Sequence, residues 1–491
     1  MRARSSYSLA LCLLATVLVG SRGAGAIELE DCQLVGPGGF GRLAARCGTL
    51  AVAENPDAPE GREIELFVAV VPALSRQAEP DAFTVIAGGP GQASSEFYVS
   101  VAGAFESIRR ERDIVLVDQR GTGKSNALDC PEREDDPAPW ESPSAERVLE
   151  STARCLAELP GDPRFYTTSV AVRDLDAVRR ALGYEAWNLY GVSYGTRVAL
   201  HHLRRFPDAT RSVVLDGVAA PDSTLGPEIS HDAQAALELM FERCAADAAC
   251  AARFPDLRGA FAKLLARLRG QSVRLTIEDP LEGEPVRVLF GPDQLGLTIR
   301  LLSYTPAATS LLPILIWEAT ATGELERLAS QALFVAQALG ETMSEGMHNS
   351  VICTEDVPFY AGLPVDREAM MQDYLGSRGY DLLVQICELW PRGTIDPDFK
   401  TPVVSDRPVL LLSGAIDPVT PPANGERAAA TLSNSLHIIG PGQGHGMAPR
   451  GCVKRLIAEF VAAGSVADLD PSCVDVLEAA PFFVRLSGPE P

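Results

Sequence analysis

The sequence predicts an α/β protein: a mostly parallel central sheet interrupted by a large, mainly helical insertion. Three observations point there. Short apolar runs are continuous rather than alternating and are bounded by Gly, Asp or Pro, as strands covered on both faces should be. Helix-period stretches lie between them, and that alternation is the mark of parallel strands joined by crossovers. The rhythm stops near residue 221 and resumes only near residue 403.

In chain order, residues 1–26 come first. Arg2 and Arg4 form a positive region, Leu9 to Gly20 an apolar stretch too short to span a bilayer, and Ala24-Gly25-Ala26 a small-residue cleavage site. Together they predict a secretory signal peptide cut after Ala26. Residues 27–220 hold the first part of the sheet, with strand-like runs at Glu63–Val71, Phe83–Ala87, Asp113–Val117, Trp187–Tyr190 and Ser212–Leu215. Ser169–Leu182 and Thr196–Arg205 have helical periodicity. Residues 221–402 are expected to form a helical cap: His231–Ala252, Leu257–Leu268, Leu311–Ala321 and Leu325–Ala338 are Ala/Leu-rich, and Val273–Phe290 fits a hairpin. Residues 403–491 return to the sheet with Pro408–Leu412 and Leu436–Ile439. No later stretch reaches the ~18 apolar residues of a membrane span, so a secreted or periplasmic protein is expected.

Composition narrows the function classes. The 491 residues carry 65 acidic and 43 basic side chains, a formal charge of −22, so no basic surface is available to neutralise phosphates and nucleic acid is excluded as a partner. Of 11 cysteines, Cys12 lies in the apolar leader. The other ten form local pairs by spacing: Cys32/Cys47, Cys130/Cys155, Cys244/Cys250, Cys353/Cys387 and Cys452/Cys473. In an exported chain they predict disulfides. No CxxC, HxxxH or HExxH spacing supports a metal site, and no cofactor is expected.

The sharpest chemical signal is Gly191-Val192-Ser193-Tyr194-Gly195, which follows a predicted strand and opens a predicted helix. That is the setting of a GxSxG turn, in which small flanking residues allow strand and helix to approach and the serine is held exposed at the sheet edge. A serine needs a base. His445, in the flexible Gly442–Gly446 loop, can reach back over that edge. His201 and His202 ride the helix away from the hydroxyl, and His437 sits in a strand. The base needs a carboxylate. Asp417, in a Pro-flanked loop after Pro408–Leu412, is favoured, with Asp216 at the end of the preceding strand as its rival. The order Ser193, Asp417, His445 is that of α/β-hydrolases. Gly88-Gly89-Pro90-Gly91 follows a strand and can supply an oxyanion donor from Gly89 or a neighbour, since Pro90 has no N–H; the second donor is the backbone N–H of Tyr194. Gly121–Ser125 ends like a phosphate-binding loop, but Asp118 occupies the place of its first glycine, which argues against nucleotide binding.

GGPGQ at 88–92, DQRGTGKS at 118–125, GVSYG at 191–195, GAIDPVTPP at 414–422 and GQGHG at 442–446 resemble the proline iminopeptidase family of α/β-hydrolases. The likeness is greatest to its secreted tripeptidyl aminopeptidase branch, through CGTLAVAENP at 47–56 and VICTED at 351–356. Ala87 departs from the family, many members of which have His before GGPG. The resemblance implies an α/β-hydrolase fold and a serine exopeptidase acting on peptides with a free N-terminus. Such an enzyme must bind an ammonium group, and acidic residues do so by charge-assisted hydrogen bonds. The resemblance points to Glu355 and Asp356 in the cap, and Glu96 after the oxyanion loop is a further candidate. A carboxylesterase or lipase with the same triad is the alternative.

Overall fold

A computed structural model describes residues 27–131, 133 and 143–489; the expected signal peptide lies outside the described residues. Eleven strands are formed among the described residues: β1 (Glu30–Val35), β2 (Arg42–Ala53), β3 (Glu63–Val71), β4 (Asp81–Ile86), β5 (Ile114–Val117), β6 (Ala186–Val192), β7 (Thr210–Asp216), β8 (Val273–Glu278), β9 (Pro285–Phe290), β10 (Val409–Gly414) and β11 (Ser435–Gly440). Nine of them make one sheet in the order β1-β2-β3-β5-β4-β6-β7-β10-β11. Pairings from β5 through β11 are parallel, whereas β1, β2 and β3 join antiparallel.

The continuous apolar runs have the expected cause. In β6, β7 and β10 successive side chains enter opposite cores: Leu189, Val213 and Leu411 pack on one face, and Tyr190, Val214 and Leu410 on the other. Helices Thr168–Leu182 and Tyr194–Arg205 cover the first face, and Val453–Ala463 covers the second through Leu456, Ile457 and Phe460. Every residue of β4 and β10 is buried.

The first two strands were not expected. β2 reads RLAARCGTLAVA and alternates between exposed and buried positions, as a strand near a sheet edge does. Its apolar side chains are too sparse for a continuous run. The pairs expected from spacing all form, and Cys32–Cys47 ties β1 to β2.

Between β7 and β10 the chain is mainly helical, with β8 and β9 as an antiparallel hairpin. Its apolar residues form a core of their own that includes Leu237, Phe241, Phe261, Leu295, Ile299 and Leu333. The single helix expected over His231–Ala252 is two, Ile229–Ala246 and Ala248–Arg253. Asp247 ends the first and caps the second by accepting from the Cys250 N–H. The helix Glu345–Glu355 instead reaches the sheet, where Met347 and Val351 join its core. No helix among the described residues is long and apolar enough to cross a membrane.

The strand order places a crevice where function is expected. After β4 the chain moves to one side to form β5, then returns to the other side for β6. The loops leaving the carboxyl ends of β4 and β6 diverge there, which is where open α/β sheets bind ligands.

Candidate active site

Ser193 occupies the turn between β6 and the helix Tyr194–Arg205, with φ 55° and ψ −126°. A positive φ is costly for a residue with a Cβ, by ~1–3 kcal/mol, and persists where the surroundings fix it. Here they do. A Cβ at Gly191 would stand 2.3 Å from the Gly195 carbonyl oxygen, and one at Gly195 2.3 Å from that of Ile86, so strand and helix meet only because both positions are glycine. The Ser193 N–H donates to the Asp216 carbonyl at 2.9 Å, tying the turn to β7.

His445 follows β11, and its Nδ1 lies 2.8 Å from Asp417 Oδ2. Thr420 Oγ1 donates to the same carboxylate oxygen at 2.8 Å and lies 3.1 Å from Nδ1. The other oxygen, Oδ1, accepts the N–H groups of Val419 and Thr420, both at 2.9 Å. Burial alone would raise the Asp417 carboxyl, but His445 and those donors outweigh it and hold it below the usual carboxylate range. Burial likewise pulls His445 down, and the facing Asp417 overrides it, leaving the imidazole above its ordinary value. The His445 N–H donates to the Tyr304 carbonyl at 2.8 Å, and the Tyr304 ring meets the imidazole edge-on at 5.1 Å.

Of the two candidate acids, only Asp417 hydrogen-bonds to the ring. Asp216 is fully buried and accepts from Tyr190 Oη at 2.8 Å, from the Met447 N–H at 2.7 Å and from the Ala448 N–H at 2.8 Å. It anchors the segment just beyond His445. The same corner brings serine and histidine together: a Cβ at Gly217 would lie 2.9 Å from His445 Cε1, and the residue before it accepts the Ser193 N–H. Ser193 and His445 line one cavity of about 560 Å³. No hydrogen bond joins their side chains, and such bonds commonly tighten only when substrate is bound.

Gly88, Gly89 and Tyr194 line the cavity beside Ser193, and a Cβ at Gly88 would be 3.0 Å from Ser193 Cβ. The Tyr194 N–H belongs to the first helical turn, whose N–H groups have no intrahelical acceptor. The Tyr194 phenol is pinned by Thr168 Oγ1 at 2.6 Å and Gln119 Nε2 at 3.0 Å. The DQRGTGKS run is scaffold for this loop. Buried Asp118 accepts from Ser95 N and Oγ, and Arg120 forks onto Asp174 at 2.6 and 2.7 Å.

The expected ammonium ligands in the cap require correction. Glu355 and Asp356 are fully buried, and neither lines the cavity. Glu355 accepts from Thr168 N at 2.6 Å and Thr168 Oγ1 at 2.9 Å, and Asp356 takes both terminal nitrogens of Arg197 at 2.8 and 2.9 Å. Their charge is already spent on a buried cation and local donors. Glu96 is different: it is half-buried, makes no hydrogen bond among the described residues, and lines a second cavity of about 880 Å³. That cavity shares Leu297, Leu339, Met343 and His348 with the first. Burial, then the nearby Asp118, pushes the Glu96 carboxyl up.

The remaining histidines fit their sequence positions. His201 bonds Asp396 at 2.8 Å and His202 bonds Thr210 at 3.1 Å, and burial pushes these imidazoles down to about 4 and about 3. His437 on β11 bonds Ser413 at 2.9 Å. Sequence reasoning missed Thr420, Tyr304, His348, Arg300 and Arg450, all of which line the cavity. Thr420, three residues after Asp417, is the one whose spacing could have revealed it. Among the described residues no group of three or more His, Cys, Asp or Glu is placed to hold a metal ion.

Residues 372–473 match the family model described as TAP-like protein. The chain is 25% identical over 432 residues to the putative hydrolase YuaR of Escherichia coli (strain K12), across 81% of this chain and 80% of that protein. It is 25% identical over 477 residues to serine protease Hip1 of Mycobacterium tuberculosis, across 89% and 88%. It is 30% identical over 196 residues to the tripeptidyl aminopeptidase of Streptomyces coelicolor, across 36% and 35%. The chain thus carries a TAP-like α/β-hydrolase domain and is a serine hydrolase.

Proposed function

We propose that the protein is an exported serine exopeptidase that cleaves peptide bonds near free N-termini, in the manner of a tripeptidyl or prolyl aminopeptidase. Ser193 attacks the scissile carbonyl, His445 takes its proton and returns it to the leaving amine, and Asp417 holds the imidazole in the required tautomer. The N–H groups of Gly89 and Tyr194 receive the developing oxyanion, and water then hydrolyses the acyl-enzyme. The observation that carries this reading is the 2.8 Å bond between His445 Nδ1 and Asp417, formed beside a serine held at positive φ in the same cavity. The relatives named serine protease and tripeptidyl aminopeptidase support the peptide substrate. The five disulfides fit an oxidising compartment. Glu96 stands as the candidate for the substrate ammonium, in the cavity next to the serine.

A carboxylesterase reading draws on the apolar wall that Phe97, Val101, Leu301 and Met343 give the cavity. Chromogenic tripeptidyl, prolyl and aminoacyl amides, each with free and acetylated N-terminus, separate the two. The peptidase loses its substrate on acetylation, and an esterase does not discriminate. In Ser193→Ala the turnover of the cleaved amide is expected to fall by at least ~10⁴-fold, and full activity there would overturn the assignment. Glu96→Gln is expected to raise KM for free amines about tenfold, through loss of one charge-assisted bond.

A further inference from the structure

Most arginines held inside this protein have a partner. Arg120 forks onto Asp174, Arg197 onto Asp356, and Arg243 donates to the Ala480 carbonyl and stacks on Phe482. Arg300 and Arg450 do not. Each has a buried Nε without an acceptor, and neither side chain makes a hydrogen bond, ion pair or ring contact among the described residues. Both line the cavity that holds Ser193 and His445. Arg300 projects from the helix Pro292–Leu302, one turn before the Tyr304 carbonyl that fixes His445. Arg450 lies just past the segment that Asp216 anchors.

The rest of the lining sharpens the point. Among the described residues no Asp or Glu lines this cavity, although the chain carries 65 acidic residues against 43 basic ones. Buried Asp216 acts on Arg450 from a distance, but neither guanidinium is hydrogen-bonded or ion-paired to a carboxylate in the cavity it shares with the reacting serine. A guanidinium with an unmet buried N–H is costly, and a planar carboxylate offers it two acceptors in matching geometry.

We propose that Arg300 and Arg450 form a subsite for a carboxylate of the substrate, so that the enzyme prefers peptides carrying a negative group close to the scissile bond. The proposal rests on the exopeptidase reading and adds its substrate class. The carboxylate is either an Asp or Glu side chain or the C-terminus of a short peptide. The cavity containing Glu96 stands ready for the opposite, ammonium end of the same molecule, so the two charges would set the direction in which a peptide lies.

Two matched pairs of probes test this. One pair of tripeptidyl amides differs only by Glu against Gln, placed in turn at each position. The other is a short peptide with a free or an amidated C-terminus. kcat/KM is measured for cleavage. In parallel, each peptide is tested for protection of Ser193 against a fluorophosphonate label, which requires no turnover. The expected result is a preference of about tenfold or more for the carboxylate member of one pair, which identifies its source. That preference should fall towards parity in Arg300→Met and in Arg450→Met and be partly restored in Arg300→Lys, at unchanged circular-dichroism melting. Equal handling of both members of both pairs by the unsubstituted enzyme overturns the proposal, as does an unchanged preference in both Met variants. If no peptide is cut but carboxylate peptides still protect the label selectively, the subsite stands and the peptidase reading falls.

Discussion

The loop after β10 and the last residue of β7 each bring a buried aspartate to the segment around His445, and the two carboxylates act on different parts of it. Asp417 faces the imidazole, with its second oxygen satisfied by two backbone N–H groups of its own loop. Asp216 faces backbone, binding the Met447 and Ala448 N–H groups and the Tyr190 hydroxyl. One controls the charge and tautomer of the ring; the other controls where the chain carrying the ring must run. Proximity to a histidine is therefore a poor guide to an acid's role. The partner of each oxygen decides it.

That contrast is easiest to break with the asparagine pair. Asp417→Asn keeps the shape but removes the charge opposite the imidazolium, and kcat is expected to fall by ~10⁴-fold; stability falls by less than in Asp216→Asn, because the new amide N–H can donate to the Thr420 hydroxyl and to Nδ1 of the other imidazole tautomer. In Asp216→Asn the amide cannot accept at both positions, so one buried donor loses its partner. Stability is expected to drop by ~1–3 kcal/mol, with a smaller loss of kcat. Denaturant unfolding alongside steady-state kinetics reads both effects. A reversal, with Asp216→Asn the more inactive and Asp417→Asn the less stable, would exchange the roles assigned here.

The pH profile sharpens the same contrast. A general base must be neutral, so activity is expected to fall as pH drops through the His445 titration, with its midpoint above the ordinary imidazole value because Asp417 holds it there. The linkage runs in a definite direction. A raised imidazole contributes stability that is complete below its unfolded value and is lost as pH rises through the folded one. The depressed Asp417 contributes stability above its unfolded value, lost as pH falls through the folded one. Maximal activity therefore lies on the alkaline side of the range in which the pair stabilises most. In Asp417→Asn the acid limb of the residual activity should move to lower pH, whereas in Asp216→Asn it should move less, since Asp216 is the smaller contributor. Equal shifts would show that the ring responds to both carboxylates alike.

The two regions of the chain also differed in how much the sequence disclosed. The parallel strands were legible because burial on both faces writes a continuous apolar run, and Gly191 and Gly195 were legible because no side chain fits there. β1 and β2 left no such run, as β2 is exposed along one face. In the helical stretch periodicity located the helices around residues 231–268 and 311–338 but missed Pro292–Leu302, Glu345–Glu355 and Arg378–Leu389, and it said nothing of what polar side chains touch. Glu355 and Asp356 therefore read as free acids when they are partners of Arg197. Arg300 is marked by nothing in its local sequence, and only the fold brings it into the cavity with His445. Long-range pairing of charges leaves no local pattern.

The smallest expected effect tests how much of Asp417's work is shared. Thr420 is fully buried and bridges the pair, with its hydroxyl donating to Asp417 Oδ2 at 2.8 Å and standing 3.1 Å from His445 Nδ1. Its backbone N–H holds the other carboxylate oxygen whatever the side chain is. Thr420→Val preserves the volume and removes one hydrogen bond of three to that carboxylate from this loop. A net bond of ~0.5–1.5 kcal/mol corresponds to a loss of roughly two- to thirteenfold in kcat, and Thr420→Ser should recover most of it. The KM for a cleaved amide should hardly change, because the hydroxyl addresses the acid and not the substrate. A loss as large as that of Asp417→Asn would mean that the carboxylate is held in place by this hydroxyl rather than by its loop, and a rise in KM instead would move Thr420 from the acid's support to the substrate's.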